Sequence, residues 1–197
     1  MDRDKFLKTV TKHKMDAQHE LGIYRHLVFS DGTFNRRFEL VTWPMHLSIC
    51  GDMGTYVFCR CEDMFTFFRR STLEINADYW SEKLESGVAT QFSRARVVKW
   101  MREQRDTLKA YKRPARKAIL EQMRYVVEGL DEHGESEVRR AIDGICDPDG
   151  DPVFYDMFDV SFSEYTSRFL WCLFAIVWGI GQYDVFCSLR VANDCTS

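Results

Sequence analysis

With 197 residues, 45% of them hydrophobic and 29% charged, and a formal net charge of −3, the chain has the composition of an ordinary globular protein and the length of one domain. Eleven Gly and four Pro are too few for a linker-rich or low-complexity chain, and 14% aromatic content excludes a disordered one. A chain of this size buries roughly 70% of the surface that its unfolded form exposes, so it needs neither disulfide nor metal to fold.

The first segment, 2–21, spaces Phe6, Leu7, Val10, Ala17 and Leu21 as an amphipathic helix would, with Gly22 as its C-cap. From Ile23 the pattern predicts antiparallel strands: 23–29, a turn at Ser30, Asp31 and Gly32, then 33–43, closed by Pro44. Strands 46–50 and 55–61 flank Gly51, Asp52, Met53 and Gly54, the strongest hairpin signal in the chain. After Cys61 the spacing turns helical, over 62–70 and 78–84. Ser93 is the expected N-cap of a helix reaching Tyr111, and Pro114 opens the next, whose inward stripe is Ile119, Met123, Val126 or Val127, and Leu130. A shorter helix is predicted over 135–145, then a loop from Asp147 to Pro152. The last helix starts near Ser161 or Ser163 and runs to about Gly179, leaving 186–197 as a tail.

Strands early and helices late, without βαβ alternation, predict an α+β fold: a small N-terminal antiparallel sheet packed by a helical layer with one buried apolar helix, in a single domain over 1–197. The apolar run 169–180 falls short of the about 20 residues that span a bilayer, and the charged N-terminus leads into no signal sequence, so no membrane partner is expected. Seven cysteines without a regular framework suit reduced thiols in a cytosol.

Charge is segregated. Ten basic residues in 94–117 (Arg94, Arg96, Lys99, Arg102, Arg105, Lys109, Lys112, Arg113, Arg116 and Lys117) stand against Glu103 and Asp106, a local net of +8. The stretch 128–164 carries twelve acidic residues, Asp147, Asp149, Asp151, Asp156 and Asp159 among them, against Arg139 and Arg140, a net of −10. Two solvated faces that neutralise one another are the plain reading, and a nucleic-acid surface or a protein-docking surface is the functional one.

Asp147, Asp149 and Asp151 match the first three ligands of a calcium loop, but Pro152 and Phe158 occupy its glycine and glutamate positions, so a simple turn is favoured. His46, Cys50, Cys59 and Cys61 gather soft metal ligands on one hairpin. Cys59-x-Cys61 is not a zinc knuckle, however, and a packed hairpin is favoured, with either His46 or Leu47 opposite Cys59. The Gly51 to Gly54 turn lacks the phosphate-loop fingerprint, and no sequence motif nominates a catalytic residue or a cofactor.

The stretches 38–60 (FELVTWPMHLSICGDMGTYVFCR), 63–69 (DMFTFFR) and 169–184 (FLWCLFAIVWGIGQYD) resemble a family of small hypothetical proteins of tailed bacteriophages and prophages, with Cys59 and Gly181 as departures. The resemblance covers most of 22–185 and brings no known catalytic residue or cofactor. It implies an accessory protein in the bacterial host cytoplasm, of the kind suspected of blocking host defences such as CRISPR by binding a host protein. Direct nucleic-acid binding through 94–117 and a nucleotide or small-ligand pocket at the Gly51 to Gly54 turn are the alternatives.

Overall fold

A computed structural model describes residues 1–130, 133–155 and 157–194. The fold is α+β, with a six-stranded antiparallel sheet in the N-terminal half followed by helices, the apolar C-terminal one packing on the sheet. Contacts gather into two compact units, Met1–Ala89 with Tyr165–Ser197, and Thr90–Glu164, where the sequence suggested one domain.

In the first unit, α1 (Arg3–Val10) is capped by the Asp2 carboxylate, which accepts from the Lys5 amide at 2.9 Å, and it buries Phe6 and Val10. The helix expected over 2–21 ends there. From Lys14 half-buried and exposed residues mostly alternate, the period of a strand, and β1 (Lys14–Leu21) pairs with β2 (Tyr24–Ser30). Gly22, with φ 62, sits at the first central position of the two-residue turn between them, so it is a hairpin glycine and not a helix cap.

The sheet then runs in sequence order through β3 (Phe38–Trp43), β4 (His46–Gly51) and β5 (Tyr56–Cys59). After the short helices α2 (Met64–Phe68) and α3 (Ala77–Ser81), the chain returns to the sheet edge as β6 (Leu84–Ser86), three residues too short to leave a periodic signal. Strict alternation on β2 to β5 sends Leu27, Phe29, Phe38, Leu40, Leu47, Ile49, Tyr56 and Phe58 to a dry face, and leaves His26, Val28, Glu39, Val41, His46, Ser48, Val57 and Cys59 on the other.

The second unit opens with β7 (Thr90–Phe92) and α4 (Arg94–Gln104), whose N-cap is Ser93 as predicted. A 3-10 turn (Thr107–Ala110) separates α4 from α5 (Arg113–Glu128), which begins with Pro114 in its first turn. After α6 (Glu135–Asp143), a loop and a second 3-10 turn (Met157–Asp159) lead to β8 (Ser163–Tyr165), which pairs with β7. This unit has its own core of Val97, Met101, Leu108, Ile119, Met123, Val126, Val138, Ile142 and Phe162 among others.

The last helix, α7 (Ser167–Asp194), belongs to the first unit. It starts after β8 and not at Ser161 or Ser163, and it continues well past Gly179 through most of the expected tail. Gly179 does not stop it because the missing side chain is what allows close approach to the sheet: a Cβ there would lie 2.9 Å from Leu40 Cδ1 and 3.1 Å from Phe29 Cζ. Beyond Gly179 the helix is held by Glu20, which accepts from Tyr183 Oη at 2.7 Å and Arg190 Nη1 at 2.8 Å. The helix that contains the apolar run 169–180 is longer than that run, and by length and composition alone Ser167–Ala192 is long and apolar enough to cross a bilayer. Yet 61% of its apolar window is buried, as in the core helix of a soluble protein.

Gly179→Val is expected to destabilise the first unit by about 2 kcal/mol, because the three added carbons of the isopropyl group have no free volume against buried Leu40 and Phe29. Urea titration measures this, and a cost near zero would show that the helix does not seat on the sheet at this point.

Candidate functional site

The ten basic residues of 94–117 fall on α4, the 3-10 turn, α5 and the caps Arg105 and Lys112, and all are exposed except half-buried Arg116. They do not form one stripe. On α4, Val97 and Met101 turn inward and the cations occupy the rest of the helix circumference. Among the described residues their ion pairs are local, Lys99 with Glu103 at 3.9 Å and Lys109 with Asp106 at 2.7 Å, the latter holding the Asp106 carboxyl below its ordinary range. Arg94 donates to the Leu130 carbonyl. The two aromatics within the stretch face inward: Trp100 meets Phe154 and Phe162 edge-on, and Tyr111 packs on the same core.

Two of these cations have a defined setting. Val98, Met101 and Arg102 on α4 with Arg105 at its C-cap, and Leu120, Met123, Arg124 and Val127 on α5, each run at i, i+3, i+4, i+7 and together line a cleft of about 210 Å³. Its floor is aliphatic and its rim carries three guanidinium groups. Arg102 and Arg105 have no ion-pair partner among the described residues, while Arg124 reaches Glu121 at 3.8 Å and Glu128 at 3.5 Å. Exposed pairs of this kind contribute roughly 0.3–0.5 kcal/mol, so a carboxylate brought by a ligand displaces them readily. The structure resolves the choice left open on α5: Val126 packs in the core and Val127 lines the cleft.

The acidic residues do not converge. The Asp147 carboxylate accepts from the Asp149 and Asp151 amides, both at 3.0 Å, and so closes its own turn, while Asp149, Asp151 and Asp159 are exposed. Asp156 lies outside the described residues. At the Gly51 to Gly54 turn Gly51 is required by close packing and Gly54 by its backbone conformation. A Cβ on Gly51 would meet the Arg37 carbonyl, and Gly54, with φ 109, lies against the Tyr56 ring.

No protein-family model, curated protein or solved structure matches the chain.

On the open face of the sheet, the register places His46 opposite Cys59, one of the two pairings that the sequence allowed. The other two cysteines of the hairpin diverge. Cys50 lies opposite Glu39, where burial raises its thiol pKa, and Cys61 has its thiol near the Asp63 carbonyl at 3.4 Å and Thr66 Oγ1 at 3.7 Å. The residue that joins His46 and Cys59 is Glu85, which the sequence did not reveal. Ser86 pairs with Val57 and Leu84 with Phe58, so the register shifts at Glu85. Without that bulge Glu85 would stand opposite Phe58 and face the core; with it the carboxylate is aimed at the open face. His46 Nε2 lies 3.2 Å from Glu85 Oε2, and the Cys59 thiol lies within 4.8 Å of both groups. Desolvation and the adjacent Glu85 charge raise the Cys59 thiol above its ordinary range.

Proposed function

We propose that the protein is a non-enzymatic binding protein that captures an acidic, amphipathic segment of a partner protein in the cleft between α4 and α5. The observation that carries this reading is the matched pair of i, i+3, i+4, i+7 stripes, which join an aliphatic floor to a rim of three arginines. Aliphatic side chains of the partner would bury on Val98, Leu120 and Val127, and its carboxylates would meet Arg102, Arg105 and Arg124 in bidentate fashion. With 11 residues, α4 is about 16 Å long, which suits three turns of a docked helix. Nucleic acid is the weaker reading, because the basic residues fan around the helices and Trp100 and Tyr111 are turned away from stacking. The resemblance to phage accessory proteins supplies the setting of the proposal: the cytoplasm of a bacterial host, with a component of a defence system as the partner.

The test compares wild type with the double variant Arg102→Glu, Arg105→Glu. An acidic amphipathic helical peptide, labelled for fluorescence anisotropy, is expected to bind wild type and to lose at least about tenfold in affinity, near 1.4 kcal/mol, on charge reversal. From host lysate, wild type should retain a stoichiometric protein that the variant releases. Equal peptide binding by both proteins, or tighter salt-sensitive binding of wild type to DNA or RNA than to the peptide, would overturn the reading.

A further inference from the structure

We propose that His46, Cys59 and Glu85 form a zinc-binding site on the open face of the sheet, separate from the cleft in the other unit. One ligand atom from each residue lies within 4.8 Å of the other two, and His46 Nε2 and Glu85 Oε2 are already 3.2 Å apart. In a tetrahedral zinc centre the bond lengths of about 2.0–2.3 Å place neighbouring ligand atoms roughly 3.3–3.7 Å apart, so only the thiol has to draw in.

Three features point to a cation and not to three polar groups meeting by chance. The first is the tautomer of His46. Its Nδ1 lies 2.9 Å from the Pro44 carbonyl, which only accepts, so Nδ1 carries the ring proton. Nε2 is then the ring atom turned toward the Glu85 carboxylate, and it is the nitrogen left to ligate a metal. A backbone carbonyl fixing the remote nitrogen is the usual outer partner of a metal-bound histidine.

The second feature is rigidity. Trp43 stacks on the His46 ring at 5.0 Å with an interplanar angle of 8°, and the β3–β4 turn is pinned by Met45, whose amide donates to the Glu62 carbonyl and whose carbonyl accepts from the Arg60 amide. Met45 has φ 72, a left-handed conformation that a side chain of this size adopts only when its surroundings impose it. The third is the bulge, which takes Glu85 off the core face and brings it to the other two ligands.

A histidine, a thiolate and a carboxylate favour Zn²⁺ over Mg²⁺ or Ca²⁺, which prefer all-oxygen shells. On binding, Zn²⁺ replaces the Cys59 thiol proton, which leaves to solvent, and the exposed side of the site keeps the fourth position for water.

Titration of the full chain with Zn²⁺ should give a 1:1 complex and raise the thermal midpoint. Co²⁺ should give the near-ultraviolet charge-transfer band of a thiolate ligand. Cys59→Ser should abolish the band and weaken Zn²⁺ binding at least about tenfold, and Glu85→Gln and His46→Gln should weaken binding but keep the band. Cys50→Ser, Cys61→Ser and the cleft variant Arg102→Glu, Arg105→Glu should bind like wild type, so failure here and failure of the docking cleft are distinct results. Circular dichroism confirms that each variant is folded. Absence of 1:1 binding, a band that survives Cys59→Ser, or unchanged affinity in Glu85→Gln would overturn the proposal.

Discussion

Asp63→Ala is expected to destabilise the protein by about 4 kcal/mol at neutral pH, because one carboxylate performs two functions. It caps α2 by accepting from the Phe65 amide at 2.9 Å, and it receives both arms of the Arg25 fork at 2.9 and 3.0 Å. Arg25 is only 9% exposed and lies over the Phe65 ring at 4.5 Å and the Tyr183 ring at 5.5 Å. Alanine at position 63 leaves that guanidinium buried without its counter-charge, which is the costly way to break such a pair. Asp63→Asn keeps an acceptor for the cap and should cost less. Arg25→Met with Asp63→Asn should regain part of the loss, since removing both charges avoids an orphan.

The pH dependence of this pair has a definite sign. Burial raises the Asp63 pKa, but the Arg25 hydrogen bonds and the Phe65 amide outweigh it, so the folded-state value lies below the ordinary one. A depressed carboxyl pKa contributes stability that is fully present above the unfolded value, about pH 4, and is lost as pH falls through the folded value. Urea unfolding at pH 7 and again in the acid range should therefore show the gap between wild type and Asp63→Asn closing on acidification. A constant gap, or a cost below about 1 kcal/mol for Asp63→Ala, would show that the pair is not the anchor that its geometry indicates.

Trp171→Ala should cost about 3–5 kcal/mol. The indole is fully buried, meets Phe6 at 5.4 Å and Phe38 at 5.6 Å edge-on, and donates from Nε1 to Thr9 Oγ1 at 2.9 Å. Through these contacts α7 joins α1 to the dry face of the sheet, and truncation opens a cavity among rings that cannot collapse into it. Trp171→Phe retains most of the packing and loses the hydrogen bond, so about 1–2 kcal/mol is expected. Equilibrium unfolding distinguishes the two, and near-equal losses would place the weight on the hydrogen bond instead of the packing.

Residues whose neighbours in sequence are also their neighbours in space were legible. The β4–β5 hairpin, the Ser93 cap and the Pro114 start of α5 depend on turn and cap chemistry that acts over a few positions. The N-terminal segment misled because Phe6 and Val10 begin a true helical stripe, and Ala17 and Leu21 extend it numerically while lying on a strand. Gly179 looked like a terminator and is a point of close approach, a distinction that only the facing Leu40 and Phe29 make. The site residues divide in the same way. Counting charges found Arg102 and Arg105, but not that Val98, Leu120 and Val127 would lie uncovered between them. Ligand chemistry singled out His46 and Cys59, whereas Glu85 arrives through a one-residue slip on a strand too short to be recognised.

The chain leaves the first unit at Ala89 and rejoins it at Tyr165, and the Thr166 amide donates to the Ala89 carbonyl at 2.9 Å. The two cut ends of the sheet-bearing unit are thus held together by its own hydrogen bond, with no span for a linker to cover. In evolutionary terms Thr90–Glu164 has the form of an insertion: a segment with its own core, entering and leaving a host fold at one point, which is where chains tolerate added or exchanged domains.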